Sequence, residues 1–259
     1  MFAVRRAKNM LHCCAVPTKE RQWPKMNQTI QKAVDAYGGR DRWENAKTIE
    51  AEFSASGLAF FLKRRSPHKQ ANAILEISRP ICRITPIGRA INITGILDGP
   101  DVRLENENGK VIQERKNARQ CFPGGRRFFY WDDLDMAYFA NYAMWNYLTL
   151  PALLLRSDII WREIKEGCLE ATFPQELPTH SRKQHFRFDL ETGLLLQHDY
   201  TAEVISRFAK AAHVVLAHSE SEGLRFTSHR RVTPRSSKGN PWFGPTIIEI
   251  FIHKFSLRE

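Results

Sequence analysis

The amino-acid sequence predicts an α+β fold in which one long, curved antiparallel β-sheet carries helices on its concave face. Period-two stretches rich in Ile and Thr fill both halves of the chain and flank a single apolar block. Two turn signals, at Asn108-Gly109 and at Gly193, are typical of hairpins. Long helices do not alternate with single strands, so a parallel sheet is not indicated.

The chain divides into a short basic leader and one domain. Residues 1–26 are poor in acidic side chains, and Arg5, Arg6 and Lys8 interrupt each apolar run that a secretory signal would require. We interpret this segment as a disordered or mis-started leader, with a mitochondrial transit peptide as the alternative. Residues 27–259 are long enough to bury one sizeable core. Without a convincing export signal we expect a cytoplasmic protein, and a periplasmic or organellar location stays open.

The first half of the domain begins with a helix and continues with strands. Asn27 is a typical N-cap for a helix over QTIQKAVDAY, and Gly38-Gly39 supplies its exit. The pattern then changes to period two, which predicts four short strands in TIEAEFSASG, ANAILEIS, PICRITPI and AINITGILD. A hairpin follows in VRLENENGKVIQER, where Asn108-Gly109 favours a tight turn. The stretch CFPGG beyond it is predicted to be a loop.

An uncharged block, MAYFANYAMWNYLTLPALLL, occupies positions 136–155. As a helix it is long enough to cross a bilayer, but its aromatic side chains are scattered through its depth instead of forming two interfacial belts. The neighbouring strands need an apolar cover, so we favour a helix packed in the protein core. Asp133 is predicted to cap this helix, Asp135 to add a favourable charge, and Pro151 to bend or end it.

Strands return after this block. Five segments have strand-like sequences: LEATFP, KQHFRFDLETGLLLQHDY, AKAAHVVLAHSES, RFTSHRRVTP and TIIEIFIHKFSL. The second contains the turn DLETGLL, with Gly193 at a position that needs left-handed backbone. Together with the strands of the first half, these segments predict one long sheet.

The segment GGRDRWENAKTIEAEFSASG resembles the opening of LolA-like proteins, the superfamily of the outer-membrane lipoprotein-sorting protein. FDLETGLLLQHDY, AKAAHVVLAHSESEGLRFTSHRRV and IIEIFIHKF are similar to later strands of that superfamily, and the resemblance covers roughly residues 27–257. It implies a half-barrel: a strongly curved antiparallel sheet that is open along one side and closed by helices over its hollow. In the sorting proteins that hollow takes up lipid acyl chains.

We therefore predict a protein that binds a lipid or another hydrophobic small molecule, without catalysis, cofactor or metal. The ligand would lie between the sheet and the helix at 133–155. Its apolar wall is predicted to comprise five aromatic residues, Trp131, Tyr138, Phe139, Tyr142 and Trp145. The basic loop that carries Arg126 and Arg127 is placed at the mouth, where it would meet an anionic head group.

The alternative is a small-molecule enzyme that uses His198 or His213 in the same cavity. His185 and His198 are predicted to face each other across the hairpin, where a further histidine could complete a metal site. No nucleophile, phosphate-binding or dinucleotide motif supports catalysis, and histidines on the surface or edge of the sheet are the plainer interpretation. The five cysteines are odd in number and include no Cys-x-x-Cys pair, which indicates reduced thiols.

The chain is basic, with a net charge of +11. Its densest basic run, SHRRVTPRSSK at 228–238, lacks the interleaved aromatic residues or reading helix that nucleic acid would require, so no nucleic acid is expected as a partner. Alternation places Arg230 and Arg231 on opposite faces of a strand, and we interpret the run as part of the solvent face. An exposed sheet edge would allow a homodimer.

Overall fold

The chain forms a single antiparallel sheet of thirteen strands together with a few helices. A computed structural model describes residues 27–88, 91–122, 124–237, 239–242 and 244–259, so the predicted leader at 1–26 lies outside the described residues. The strands are β1 (Thr48–Ser56), β2 (His68–Glu76), β3 (Ile81–Thr85), β4 (Thr94–Asp98), β5 (Asp101–Glu105), β6 (Val111–Arg115), β7 (Ile160–Lys165), β8 (Cys168–Thr172), β9 (Lys183–Phe188), β10 (Leu195–Thr201), β11 (Lys210–Ser221), β12 (Leu224–Pro234) and β13 (Ile248–Arg258). The helices are α1 (Gln28–Ala36), α2 (Arg40–Asn45), α3 (Leu58–Leu62), α4 (Asp133–Leu148) and α5 (Leu150–Leu155).

The sheet is open. Its strands neighbour one another in the order β6-β5-β4-β3-β2-β1-β13-β12-β11-β10-β9-β8-β7, so β6 and β7 are its two edges. The first and last strands, β1 and β13, pair in the middle, which joins the two halves of the chain into one layer. The predicted α+β class and the antiparallel sheet are confirmed.

The sheet bends around α4. This helix packs against β3, β4 and β5 near one end of the sheet. Tyr147, close to the end of α4, lies against the ring of His213 on β11 and under the guanidinium of Arg230 on β12. One helix contacts strands from both halves of a sheet in this way only when the sheet curves around it. The predicted half-barrel, with helices on its concave face, therefore describes this chain.

The helix α4 is buried along residues 134–148. Its N-cap is Asp132, so the predicted cap at Asp133 is wrong by one residue. The side chain of Asp132 accepts from the backbone N–H of Asp135 at 2.8 Å. In return, the side chain of Asp135 accepts from the backbone N–H of Asp132 at 3.1 Å. This reciprocal pair is a capping box. Pro151 was predicted to bend or end the helix; α4 ends at Leu148, and Pro151 lies in the first turn of the next helix, α5. Across the described ranges, no helix has the length and hydropathy that a bilayer span requires.

Local caps and turns form where the sequence predicts them. The Oδ1 atom of Asn27 accepts from the backbone N–H of Thr29 at 2.8 Å and caps α1. Gly109, with φ +73°, lies in the turn between β5 and β6, and Gly193, with φ +74°, lies in the turn between β9 and β10. Glycine adopts this left-handed conformation without the penalty that a Cβ brings. Both hairpins and the first helix are confirmed.

Two helices and one strand are absent from the sequence prediction. The helices α2 and α3 have only six and five residues. The strand β7 lies at the sheet edge, and five of its six residues are exposed. Elements that are so short or so exposed leave no periodic apolar pattern to detect.

Candidate functional site

Four of the five predicted aromatic residues form one group of rings inside the half-barrel. The ring centroids lie 5.0 Å apart between Trp131 and Phe139, 5.5 Å between Phe139 and Tyr142, and 5.2 Å between Tyr138 and Tyr142. Phe122 completes the group, 5.7 Å from Trp131 and 5.9 Å from Tyr138. We call these five residues the aromatic cluster. All five are buried, and their spacing suits edge-to-face and offset contacts between rings.

Trp145, the fifth predicted residue, lies apart from the aromatic cluster. Its Nε1–H donates to the backbone carbonyl of Glu76, at the end of β2, with a distance of 2.7 Å. The ring is fully buried. This bond ties the C-terminal part of α4 to the sheet, and the contribution of Trp145 to ligand binding stays a prediction.

A cleft of about 830 Å³ opens between the two ends of the sheet. One side is lined by Asn117, Arg119 and Gln120, which follow β6, and the other by residues 174–179, which follow β8. Tyr138 of the aromatic cluster is also part of its wall. The cleft therefore connects the solvent with the aromatic cluster at the open side of the half-barrel.

Arg119 crosses this cleft and links its two sides. Its guanidinium donates to the carbonyl oxygen of Thr179 at 2.6 Å and to the carboxylate of Glu203 at 2.7 Å. These partners follow Arg119 by 60 and 84 residues in the chain. Since no local pattern brings them together, sequence reasoning could not single out Arg119.

A buried network of histidine and tyrosine side chains lies next to the aromatic cluster and shares Tyr142 with it. His180 contacts the hydroxyl of Tyr142 through Nδ1 at 3.1 Å and the hydroxyl of Tyr147 through Nε2 at 2.6 Å. The hydroxyl of Tyr147 also contacts that of Tyr200 at 2.9 Å. Burial lowers the pKa of His180 to about 3, so its ring is neutral at pH 7. The network joins α4 to β10 without a charged group.

The predicted pairing of His185 with His198 is wrong. The register of the hairpin places His185 opposite Asp199 and His198 opposite Phe186. His198 instead faces His213 across β10 and β11, with ring centroids 6.2 Å apart. Both of these rings are buried inside the half-barrel and do not lie on a surface or an edge, because the interior face of the sheet wraps around α4.

Metal-ligating residues do not gather among the described residues. No group of three or more His, Cys, Asp or Glu side chains in the described ranges is placed to hold an ion. Cys82, Cys121 and Cys168 are free thiols. Burial raises the pKa of Cys82 and of Cys168, which disfavours the reactive thiolate.

Arg126 and Arg127 contact the two carboxylates of the capping box. Arg126 donates to Asp132 at 2.5 Å, and Arg127 donates to Asp135 at 2.7 Å. Arg115 joins the same group, at 2.8 Å from Asp132 and 2.6 Å from Asp135. Hydrogen bonds from Arg115 and Arg126 help to hold the pKa of Asp132 well below its usual range, despite the opposing effect of desolvation. An anionic head group at these arginines would compete with both carboxylates. The role predicted for Arg126 and Arg127, contact with such a head group at the mouth, stays a prediction.

The predicted solvent exposure of the basic run is wrong for Arg230. Alternation on β12 does place Arg230 and Arg231 on opposite faces. However, Arg230 is buried, with 2% of its surface exposed, whereas 45% of the Arg231 side chain is exposed. The face that was interpreted as solvated is the concave face of the half-barrel.

Comparison with known proteins finds similarity only among solved structures. No family model matches the chain, and no curated protein matches it. A LolA superfamily protein from Nitrosomonas europaea is 9% identical, with 90% of this chain and 94% of that chain covered and a TM-score of 0.48. A DUF1329 family protein from Desulfovibrio piger is 13% identical, with 88% and 91% covered and a TM-score of 0.47.

A third solved structure, a domain of an outer-membrane lipoprotein-sorting type from Vibrio parahaemolyticus, is 12% identical, with 88% of this chain and 90% of that chain covered and a TM-score of 0.44. The LolA-like resemblance predicted from the sequence thus recurs among solved structures. Similarities this distant carry no argument about a ligand or an activity, which must rest on the residues of this chain.

Proposed function

We propose that this chain binds a lipid or another hydrophobic small molecule against the aromatic cluster, with the cleft of about 830 Å³ as its opening. The observation that carries this proposal is the position of Tyr138, which belongs both to the aromatic cluster and to the wall of the cleft. Pockets for small molecules usually measure about 300–1,000 Å³ and are lined mainly by apolar and aromatic side chains. The volume fits such a ligand, and Tyr138, Leu177 and three prolines form the apolar part of the lining.

A ligand that displaced Arg119 from the cleft would break its ion pair with Glu203. The ion pair between Arg119 and Glu203 is partly exposed, with 36% and 48% of the two side chains accessible. Such a pair contributes about 0–1 kcal/mol. Removing roughly 200 Å² of apolar ligand surface from water would contribute about 5 kcal/mol before ordering costs. Burial of the ligand therefore outweighs the loss of the ion pair.

The alternative of an enzyme that acts through His198 or His213 has weaker support. The Nε2 atom of His198 contacts the amide oxygen of Gln184 at 2.5 Å, and neither nitrogen of His213 has a hydrogen-bond partner within the described ranges. Desolvation lowers the pKa of both rings. A histidine that acts as a general base is normally oriented by a carboxylate or another acceptor. Within the described ranges His213 has no such acceptor, and the one that contacts His198 is a neutral amide.

The proposal is tested by a matched pair of substitutions at exposed glutamines. Gln120 lies in the wall of the cleft, whereas Gln113 lies on the edge strand β6 and away from it. Gln120→Trp should narrow the cleft and weaken binding of a fluorescent fatty acid, and Gln113→Trp should leave binding unchanged. Equal binding by both variants would contradict the proposed opening.

Native mass spectrometry of the full chain, purified from cells without detergent, gives an independent test. A retained mass of lipid size, lost after extraction with organic solvent, is the expected result. If neither a retained molecule nor binding of the fatty-acid probe is detected, the proposal is wrong. A homodimer through β6 or β7 and a cytoplasmic location stay predictions, which size-exclusion chromatography and cell fractionation would test.

A further inference from the structure

Five large apolar side chains are exposed on two neighbouring segments of the surface. One segment is the short helix α3, and the other is the turn at residues 125–130, which precedes α4. Between 40% and 79% of each of the five residues is accessible to solvent. The apolar patch, as we call them, comprises Phe61, Leu62, Phe128, Phe129 and Tyr130.

The two segments of the apolar patch are joined by Lys63. Its Nζ atom donates to the backbone carbonyl of Arg127 at 2.8 Å and to that of Phe128 at 2.9 Å. The carbonyl of Lys63 accepts in turn from the backbone N–H of Trp131 at 3.2 Å. The two parts of the apolar patch therefore lie side by side, although more than sixty residues separate them in the chain.

Buried contacts hold α3 in the orientation that exposes its apolar side chains. Phe60 is buried, and its ring lies 5.9 Å from that of His68. The backbone N–H of Ala59 donates to the carbonyl of Ile247 at 2.9 Å. Adjacent residues of a helix point about 100° apart, so the burial of Phe60 directs Phe61 away from the core. The exposure of Phe61 is thus fixed by the fold.

An apolar surface of this kind needs an explanation. Single exposed apolar residues are ordinary on a protein. Contiguous exposed apolar side chains are uncommon on chains that stay alone in water, and they mark sites of interaction. The apolar patch has no cover among the described residues, so its partner must come from outside the chain.

The apolar patch is surrounded by cations. Residues 58–67 and 124–131 contain five Lys and Arg residues and no Asp or Glu. Three of these cations pair with carboxylates at the start of α4: Arg65, Arg126 and Arg127. Arg64 is exposed and makes no ion pair within the described ranges. Five cations thus meet three carboxylates, and positive charge is in excess.

We propose that the apolar patch is a docking surface for a membrane that carries anionic lipids. Phenylalanine, leucine and tyrosine side chains are stabilised at the boundary between head groups and acyl chains. Lys and Arg residues near the surface of such a membrane are attracted by its negative potential. The apolar patch shares no residue with the lining of the cleft. The inference therefore goes beyond the proposed function and stands or falls separately.

Two other partners match the apolar patch less well. Single-stranded nucleic acid stacks its bases on the faces of aromatic rings, and Leu62 offers no ring. A second copy of this chain, related by a two-fold axis, would place the cations around one patch against the same cations of the other. An anionic membrane complements both the apolar side chains and the excess of positive charge.

The test is flotation of the full chain with vesicles of two compositions. One is pure phosphatidylcholine, and the other contains equal parts of phosphatidylcholine and phosphatidylglycerol. We expect the chain to bind the anionic vesicles more strongly. Phe61→Ser together with Phe129→Ser should lower partitioning into them by about thirtyfold or more. Arg64→Gln should lower it by about fivefold, with no effect on phosphatidylcholine.

Phe208→Ser is the matched control. Phe208 is 75% exposed, as Phe129 is 74% exposed, and it lies against the guanidinium of Arg207, but it is outside the apolar patch. This control should bind as the natural chain does. The net charge of +11 would draw the chain to anionic vesicles without any docking surface. The serine variants leave every charge in place, so they separate docking from adsorption.

Four results would overturn the inference. They are no binding of the natural chain to anionic vesicles, equal partitioning of the double serine variant and Phe208→Ser, loss of vesicle binding in Gln120→Trp, and a self-associated or oligonucleotide-bound form that the double variant abolishes while vesicle binding persists. The third would place the lipid contact at the cleft. Both serine positions are mostly exposed, so the melting temperature should not change. If the double variant does not fold, Arg64→Gln decides the matter, because full binding to anionic vesicles would contradict the role of the cations. A failure of the fatty-acid experiment at the cleft leaves these outcomes unchanged.

Discussion

The carboxylate of Asp135 is predicted to be a main determinant of stability. It is fully buried and accepts from Arg115 at 2.6 Å and from Arg127 at 2.7 Å. It also accepts the capping hydrogen bond from the backbone of Asp132. Asp135→Asn keeps the shape and an acceptor for the cap, but it removes the charge that balances these two arginines and the more distant Arg126, at 3.4 Å.

The expected loss in the free energy of unfolding follows from the burial of the Asp135 carboxylate. Breaking a buried ion pair by removing one partner typically costs about 3–5 kcal/mol. Arg115 keeps Asp132 as a partner, and both arginines retain some contact with water, so we expect about 3 kcal/mol, at the low end of that range. For a domain of this size the melting temperature should fall by roughly 6–12 °C.

Asp158→Asn is the matched control for this experiment. Asp158 also accepts two hydrogen bonds from one arginine, Arg156, at 2.9 and 2.7 Å, but 45% of its side chain is exposed. Solvent screening limits its expected effect to about 0.5 kcal/mol. Urea denaturation of both variants, followed by circular dichroism, measures the two free energies of unfolding. A loss below about 1 kcal/mol for Asp135→Asn, or equal losses for both variants, would refute the argument from burial.

Two further predictions concern pH and backbone geometry. Burial lowers the pKa of His180 to about 3 in the folded chain, below the unfolded value of about 6.5, so the unfolded chain binds the proton first. The contribution of His180 to the free energy of unfolding is therefore complete above about pH 6.5 and falls by about 1.4 kcal/mol per pH unit below it. Urea denaturation between pH 7 and pH 5 should show this decline, and His180→Phe should reduce its slope; an unchanged slope would contradict the prediction. Gly193→Ala should destabilise the chain by about 1–3 kcal/mol more than Gly109→Ala, because a Cβ at Gly193 would lie 2.5 Å from the carbonyl oxygen of Lys32, whereas a Cβ at Gly109 would contact nothing within 4 Å. The two glycines have φ values within one degree of each other, +74° and +73°, so equal losses in thermal unfolding would show that the contact with Lys32 has no effect.

The elements that were predicted from the sequence are those with a local physical cause. Asn27 caps α1 through a hydrogen bond to a residue two positions away, and Gly109 and Gly193 lie in turns that need left-handed backbone. The apolar block around α4 is uncharged over four turns, which already excludes a helix on the surface. Each of these signals lies within a few residues of the structure that it produces.

The composition of the site was only partly predictable. Tyr138, Phe139 and Tyr142 could be assigned to an aromatic wall because they lie on one uncharged stretch of a helix. Phe122, which completes the aromatic cluster, lies in a loop where no periodicity marks it. The link made by Arg119 depends on contacts across the cleft between segments distant in the chain, so its partners could not be inferred.

The sequence by itself therefore determined the class of fold, the main hairpins and the buried central helix, since propensity, capping and turn geometry act between near neighbours. The tertiary structure alone decided which face of each strand is the inside. Arg230 and Arg231 alternate on β12 as any strand requires, yet only the bending of the sheet around α4 buries Arg230 and exposes Arg231. The bend is a property of the whole sheet packed around α4, and a single strand carries no record of it.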